Sequence, residues 1–330
     1  MPPCMSATSP ITSVVIPTLN GGPLFREVLE RVLGQKIEGE VEVLVVDSGS
    51  TDGTPELARS LGARVVSIDR KTFNHGLTRN RGIAETRGEL VALLVQDATP
   101  ADDRWLGKLI EAMEADPRAA GAYSRQLPRE DCNPFIRGRL LAWTAGKSER
   151  VTQSLAGEEE WQRLAPLERL SRIAFDDVSS MIRRSVWKEH PYLERDFGED
   201  LCYARRTLFA GHTIVFEPGS RVIHSHDNSI WYELRRLYAD HHNLERMVGL
   251  RAVPSVRELL RAIPLGTRHY GRIIREDERL GFFSRAFWLA KTVPFSCAEA
   301  VGKYLGGKAD RWIPRSAFFR FLDRRLRRGV

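Results

Sequence analysis

The chain predicts an α/β fold: a mixed, mainly parallel sheet lying between helices. Three observations point there. Between residues 13 and 126, short apolar or β-branched runs alternate with segments of helical periodicity. Small polar residues follow these runs, at what would be the carboxyl ends of parallel strands, where such sheets bind their ligands. The 330 residues, 42% hydrophobic and 28% charged, describe a globular protein with room for one large domain and a smaller appendage.

Each element has its own signal. Ser13 to Pro17 is a β-branched run, and Leu24 to Leu33 has helical spacing. Val41 to Asp47 reads as a buried strand ending in Asp-Ser-Gly-Ser, and Thr54 to Leu61 as a helix with Asp52 or Thr54 as N-cap. Arg64 to Asp69 is a third strand, Leu77 to Thr86 a helix, Glu89 to Gln96 a fourth strand and Asp103 to Ala115 a helix stopped by Asp116-Pro117. Residues 128–172 are polar and mix loop with helix. Ala174 to Ile182 follows as a strand, then Arg183 to Glu189 as a short helix. Gly198-Glu199-Asp200 opens a helix that stops at Gly211; Thr213 to Phe216 and Arg221 to His224 are short strands; from Trp231 onward the pattern is helical and basic.

Charge is unevenly spread. The net +7 conceals a stretch, residues 251–330, with 18 lysines and arginines against 7 acids. Such a stretch is either a solvated helical face or a surface drawn to an anionic membrane leaflet. Phe282, Phe283, Phe287, Trp288 and Leu289 among the basic residues suit interfacial docking, or equally packing onto the rest of the fold. Nucleic acid is not an expected partner, because no zinc finger or RNP-like motif is present. Met1 to Pro10 lacks the apolar core of a secretory signal, and the longest apolar run, Leu90 to Val95, is too short to span a bilayer. The four cysteines have neither metal nor redox spacing, which fits a reducing compartment.

Several constellations carry chemistry. Phe73-Asn74-His75-Gly76-Leu77-Thr78-Arg79-Asn80-Arg81-Gly82 is a glycine-punctuated stretch with amides, an imidazole and a guanidinium, suited to a polar, phosphate-bearing ligand. Pro17-Thr18-Leu19-Asn20, Asp47-Ser48 and Gln96-Asp97 sit at strand ends on one edge. Asp47, Ser48, Ser50 and Asp52 read as a turn with a helix cap or as a ligand site. Asp97 reads as a strand-end cap or as the ligand of a hard divalent cation. His224 and His226 share a strand face by alternation, as a metal pair or a hydrogen-bonded pair. Glu199-Asp200 either stabilises a helix N-terminus or supplies a general base that the helix dipole keeps ionised. Phe175-Asp176-Asp177-Val178-Ser179-Ser180, with small hydroxyls on a strand, lines a sugar pocket or is an edge strand. The first strand leads to Asn20-Gly21-Gly22-Pro23 without GxGxxG, which argues against a nicotinamide dehydrogenase. A nucleotidyltransferase lacks its Gly-rich, Arg/Lys-bearing loop here, whereas a non-catalytic binding protein stays open as an alternative.

Together these residues resemble the inverting family-2 glycosyltransferases of the GT-A nucleotide-diphospho-sugar transferase fold. The resemblance runs from Val14 to about His226 and rests on Val14 to Asn20, Val46 to Thr54, Asp97 and Gly198 to Asp200. Phe73 to Asn80, Gln96 to Pro100, Val178 to Arg184 and His224 to His226 look most like the rhamnosyltransferase-like branch. The resemblance implies a catalytic domain over 13–230, with a nucleotide-binding half (13–126) and an acceptor half (127–230). A flexible N-terminus (1–12) precedes it and a helical basic extension (231–330) follows. It implies that Pro17, Thr18, Asn20, Asp47, Ser48, His75, Arg79, Gln96 and Asp97 hold a nucleotide-sugar. Asp97, with His224 beside it, would ligate Mg²⁺ or Mn²⁺ on the donor diphosphate. Asp200 would be the base, with Glu199 beside it contacting acceptor or donor sugar. The implied reaction moves a sugar, L-rhamnose from dTDP-rhamnose being the first choice and a UDP-hexose or GDP-mannose donor the alternative, to a lipid-linked or polysaccharide acceptor. The implied location is cytoplasmic, peripheral on the inner face of the membrane. Two departures stand out. Asp47-Ser48 lacks the second acid many relatives carry, and Gln96-Asp97-Ala98 offers one metal-binding acid where the usual motif has two or three.

Overall fold

A computed structural model describes residues 12–195 and 197–328. Apart from Thr12, the expected flexible N-terminus lies outside the described residues. In chain order the elements begin β1 (Thr12–Thr18), α1 (Gly22–Leu33), β2 (Val41–Asp47), α2 (Thr54–Ser60), β3 (Arg64–Ser67) and α3 (His75–Glu85). They continue β4 (Leu90–Leu94), β5 (Thr99–Pro100), α4 (Trp105–Ala115), β6 (Ala119–Leu127), α5 (Pro134–Leu140) and β7 (Val151–Gln153). Next come α6 (Glu158–Arg163), α7 (Pro166–Arg172), β8 (Ser179–Arg183), α8 (Arg184–Glu189), α9 (Glu199–Phe209) and β9 (Thr213–Ile223). The remainder is helical: α10 (Ile230–Val248), α11 (Val256–Glu276), α12 (Phe282–Gly306), α13 (Ala309–Trp312) and α14 (Ala317–Arg327).

The chain divides into two compact units. One holds the described residues up to Leu127 with Thr144–Arg163 and Arg172–His224; the other holds Pro128–Trp143, Leu164–Ser171 and the chain from Ser225 onward. The first unit contains the sheet, in the order β3-β2-β1-β4-β8-β6-β9-β5, with β7 on β9. β3, β2, β1 and β4 are mutually parallel, so their carboxyl ends share one edge. β8 enters antiparallel between β4 and β6, and β6 and β9 are parallel.

Alternation builds the core. Val14, Ile16, Val43, Val45, Ala92 and Leu94 join Phe25, Leu29, Trp105 and Leu109 of α1 and α4 in one cluster. Against Val15 and Val46 lies α3, at Gly82, where an added Cβ would fall 2.3 Å from a Val15 methyl. Only a residue without a side chain lets that helix reach the sheet.

The structure corrects several expectations. The strand read over Ala174 to Ile182 begins only at Ser179, because Asp176 folds back to accept the Val178 N–H in a turn. β8 is a central strand rather than an edge, and its hydroxyls are used internally: Ser179 accepts from the Trp105 indole at 2.8 Å and Ser180 donates to Asp177 at 2.7 Å. The two short strands read at 213–216 and 221–224 are one strand with an irregularity, its register with β6 shifting between Ser124 and Arg125. Thr54 does not cap α2. Gly53 takes the cap position at φ 83°, while Asp52 accepts the Thr54 N–H and hydroxyl. The second unit is a helical assembly, in which α12 packs closely on α10 at Gly302 and Gly306.

Candidate functional site

The parallel edge is knitted by side chains at the strand ends. In register, Thr18 of β1 pairs with Asp47 of β2, and the Thr18 hydroxyl donates to Asp47 Oδ1 at 3.3 Å. The other oxygen of Asp47 accepts the N–H groups of Gly49 and Ser50, both at 3.0 Å, which closes the loop after β2. Asn20 sits exposed in the left-handed region at φ 49°; its side chain accepts from Thr51 N and its own N–H donates to Ser50 Oγ. Gln96 bridges β4 to β1, its carbonyl accepting the Leu19 N–H at 2.8 Å and its amide donating to Leu19 O at 3.2 Å. Pro17 completes the edge opposite Val46, and the Ser48 hydroxyl is buried with no hydrogen-bond partner. Thus Thr18, Asp47 and Gln96 fix the rim, while Asn20 stands exposed on it.

The stretch from Phe73 to Gly82 is largely an anchoring device. Asn74 caps α3 through Leu77 N and donates to Arg195 O at 2.8 Å. Asn80 accepts from the Trp187 indole and Tyr192 N and donates to Tyr192 O, all within 3.0 Å. At Gly76 an added Cβ would fall 2.7 Å from Leu193 O and 3.5 Å from the Glu199 Cβ. Arg79 is buried, and its guanidinium binds Glu199 and, at 3.4 Å, Asp177. The guanidinium that the resemblance assigns to the donor is therefore engaged by two carboxylates. His75 opens α3 at the exposed rim, its ring edge-on to Phe73.

This anchoring holds an acidic cluster at the start of α9. Asp177 accepts from Ser180 and from the Tyr192 hydroxyl at 3.0 Å. Burial pushes its proton affinity up to a pKa of about 6, although Arg79 opposes the shift. Glu199 is buried too, yet Arg79 and His75 outweigh burial and hold its carboxyl below the usual range. Asp200 goes the other way: burial, then Glu199, Asp177 and Asp176, raise it well above an ordinary aspartate. Burial, with three neighbouring carboxylates beside it, thus outweighs the pull of the helix N-terminus towards an ordinary aspartate's range. A raised carboxylate is a stronger proton acceptor once ionised.

A second line of groups reaches the β4 end. Gln126 of β6 donates its amide to Asp176, whose oxygens only accept when ionised. The Gln126 carbonyl faces His224 Nδ1, 3.1 Å away, and the far ring nitrogen, Nε2, lies 3.7 Å from Asp97 Oδ1. A carboxylate facing one imidazole nitrogen, with the other ring nitrogen held by an amide, is a donor pair suited to a divalent cation. His226 is exposed, and two residues of chain tether it to His224. The structure thus brings Asp97 and His224 together.

Gln126 is not singled out in the sequence, and β6, the strand that carries it, is legible only in the structure. Asp176 and Asp177 belong to the stretch from Phe175 to Ser180, where the hydroxyls rather than the acids suggest a sugar pocket.

Comparison with known proteins shows the family and the fold. The family model described as glycosyl transferase family 2 matches residues 13–169. The O-antigen chain rhamnosyltransferase RfbN of Salmonella typhimurium is 31% identical over 235 residues, covering 68% of this chain and 70% of that protein. The O-antigen chain rhamnosyltransferase WbaN of Salmonella anatum is 26% identical over 240 residues, 69% and 70% of the two chains. In fold, the chain resembles a mannosyltransferase from Pyrobaculum calidifontis, solved with GDP-Man and Mn²⁺, at a TM-score of 0.56 and 16% identity over 94% of this chain and 89% of that one.

Proposed function

The chain belongs to the inverting family-2 glycosyltransferases, and from that premise we propose that it moves L-rhamnose from dTDP-rhamnose to a hydroxyl of a lipid-linked or polysaccharide acceptor, with Asp200 as the base. The two rhamnosyltransferase relatives support the sugar. The observation that carries the mechanism is the cluster around Arg79, which holds Asp200 at the head of α9 with a raised proton affinity.

The reaction is a single displacement. The ionised Asp200 takes the proton of the acceptor hydroxyl as its oxygen forms a bond to the anomeric carbon. On the opposite side the bond from that carbon to the diphosphate oxygen breaks, and the diphosphate leaves with the electron pair. The anomeric configuration inverts, so a β-linked donor gives an α-rhamnoside. Asp97 and His224 would hold Mg²⁺ or Mn²⁺, which when bound neutralises charge on the diphosphate. Their chemistry fits: one hard anionic oxygen and one imidazole nitrogen on a ring held by Gln126. Pro17, Thr18, Asn20, Asp47, Ser48 and Gln96 form the nucleoside rim in this reading, and His75 stands at its border with the acidic cluster. Glu199 and Arg79 orient and charge-balance Asp200. Residues 13–126 serve the donor and 127–230 the acceptor, with the helical, basic 231–330 outside the chemistry. The setting is the cytoplasmic face of a membrane, in assembly of an envelope polysaccharide.

The test is nucleoside diphosphate release from a panel of sugar nucleotides with Mg²⁺ or Mn²⁺ and a lipid extract as acceptor. Release from dTDP-rhamnose alone supports the full reading. Release from a UDP-hexose or GDP-mannose keeps the transferase and discards rhamnose. No release with folded protein and competent acceptors favours a non-catalytic sugar-nucleotide binder.

A further inference from the structure

In the helical unit, α12 is built with two different faces. Phe295 is buried in the cluster formed with Phe135, Tyr270 and Ile274, and Trp288 and Leu289 pack against that cluster. The other face presents Phe282, Phe283, Ala286, Phe287, Ala290 and Val293 to solvent, within about 140° of arc at 100° per residue. Phe282 is 79% exposed and Phe283 85%. No charged residue falls inside that arc, while Lys291 borders it with its ammonium 4.1 Å from the Phe287 ring centroid.

Against α12 packs α11, where Gly266 meets Ser296. The exposed side of α11 carries Arg257, Arg261, Arg268, Arg272 and Arg275 within about 60° of arc, beside the exposed Leu260 and Leu265. Farther along, α14 repeats the combination with exposed Phe318 and Phe321 among Arg320, Arg324, Arg325 and Arg328. Aromatic rows without acids, bordered by arginine stripes, are poorly matched to water and well matched to the headgroup boundary of a bilayer. A nucleic-acid duplex would reward the arginines but leave the phenylalanines wet.

We propose that the exposed face of α12, with the arginine stripe of α11, docks the protein on an anionic lipid bilayer. Phe282, Phe283 and Phe287 enter the acyl boundary, and the arginines meet lipid phosphates. Among the described residues no helix is long and apolar enough to cross a membrane, so this contact is interfacial. The inference rests on the lipid-linked acceptor only for its purpose, and its test uses neither donor nor acceptor.

The full chain is floated with vesicles of phosphatidylcholine alone or mixed with phosphatidylglycerol. Binding to the anionic vesicles should exceed binding to the neutral ones by at least about tenfold, and should fall as salt shortens the Debye length from about 10 to 3 Å. The triple substitution Phe282→Ser, Phe283→Ser, Phe287→Ser should weaken it by about tenfold or more, with the circular dichroism and thermal midpoint retained. Reversal of charge at Arg268→Glu and Arg272→Glu should do the same through the other component. Unchanged binding by the triple variant overturns the proposal. So does a concentration-dependent dimer that the triple variant abolishes while vesicles bind neither protein. Either failure leaves sugar transfer untouched, since nucleoside diphosphate release reads that separately.

Discussion

Burial and three carboxylates raise the proton affinity of Asp200, and the same surroundings that suit the proposed base make it a costly residue. Its folded proton affinity is raised, so the folded state binds more protons than the unfolded chain above the ordinary value of 3.8, and ionisation at neutral pH destabilises the fold. Asp200→Asn keeps an acceptor for Leu201 N but removes that charge. We expect it to lower transfer by about 10²–10⁴-fold, leave donor affinity in place and raise the thermal midpoint at pH 7. Equal loss of donor binding and transfer would mean a structural role. Gln126 makes a separate case, since it touches neither Asp97 nor Asp200 by any hydrogen bond described above. Gln126→Leu should weaken metal dependence by about 10–100-fold through His224, read as the Mg²⁺ concentration for half-maximal rate, whereas Asp97→Ala should abolish that dependence. A Gln126→Leu enzyme with unaltered metal response would remove Gln126 from the site.

At the scale of elements, α3 is the part that joins sheet to chemistry. Its two close approaches differ in consequence. At Gly82 a methyl would strike Val15 in the sheet, so Gly82→Ala should destabilise by about 1–3 kcal/mol, seen as a lower denaturant midpoint. At Gly76, also buried, a methyl would strike Leu193 O and crowd Glu199, beside the acidic cluster rather than against the sheet. Gly76→Ala should cost less stability and more activity, by displacing the segment that carries Glu199 and Asp200. A reversed order, with Gly76 the larger stability loss and unchanged turnover, would show that α3 does not position the base. The stretch Phe73 to Gly82 was legible as important because amides, glycines and an arginine recur in it. Its task was not legible, because Asn80 and Tyr192 meet only after more than a hundred residues of intervening chain have folded.

For the whole molecule, two sets of carboxylates oppose each other. Asp310, held down to about 2 by Arg246 and His242, supplies stability that is present above 3.8 and lost as pH falls through about 2. Asp177, raised to about 6 by burial, acts in reverse: stability falls as pH rises from 3.8 through about 6, and Asp200 extends the loss. The gain in denaturant midpoint given by Asp200→Asn should therefore widen as pH rises above 4, while transfer increases with pH as Asp200 ionises. Buried His241, lowered to about 4, acts on total stability in the opposite sense, losing it as pH falls below 6.5. A gain that does not widen with pH would show that the acidic cluster is not strained at working pH.

What the sequence determined by itself was local or periodic. The order of strands and helices through β4, the helix α4, the Asp47 strand end, the helix opened by Gly198 and the basic C-terminal helices follow from apolar spacing, caps and composition, and the motif order was enough to point to the family. What only the tertiary structure decided was pairing at a distance. It set β8 antiparallel between β4 and β6, merged the last strand segments into β9, and committed Arg79 to Glu199 and Asp177. It also set Gln126 against His224 and raised the proton affinity of Asp200. The physical reason is common to all of these. A side chain's charge state and hydrogen bonds depend on neighbours within a few ångströms, and the neighbours in this site come from segments far apart in the chain.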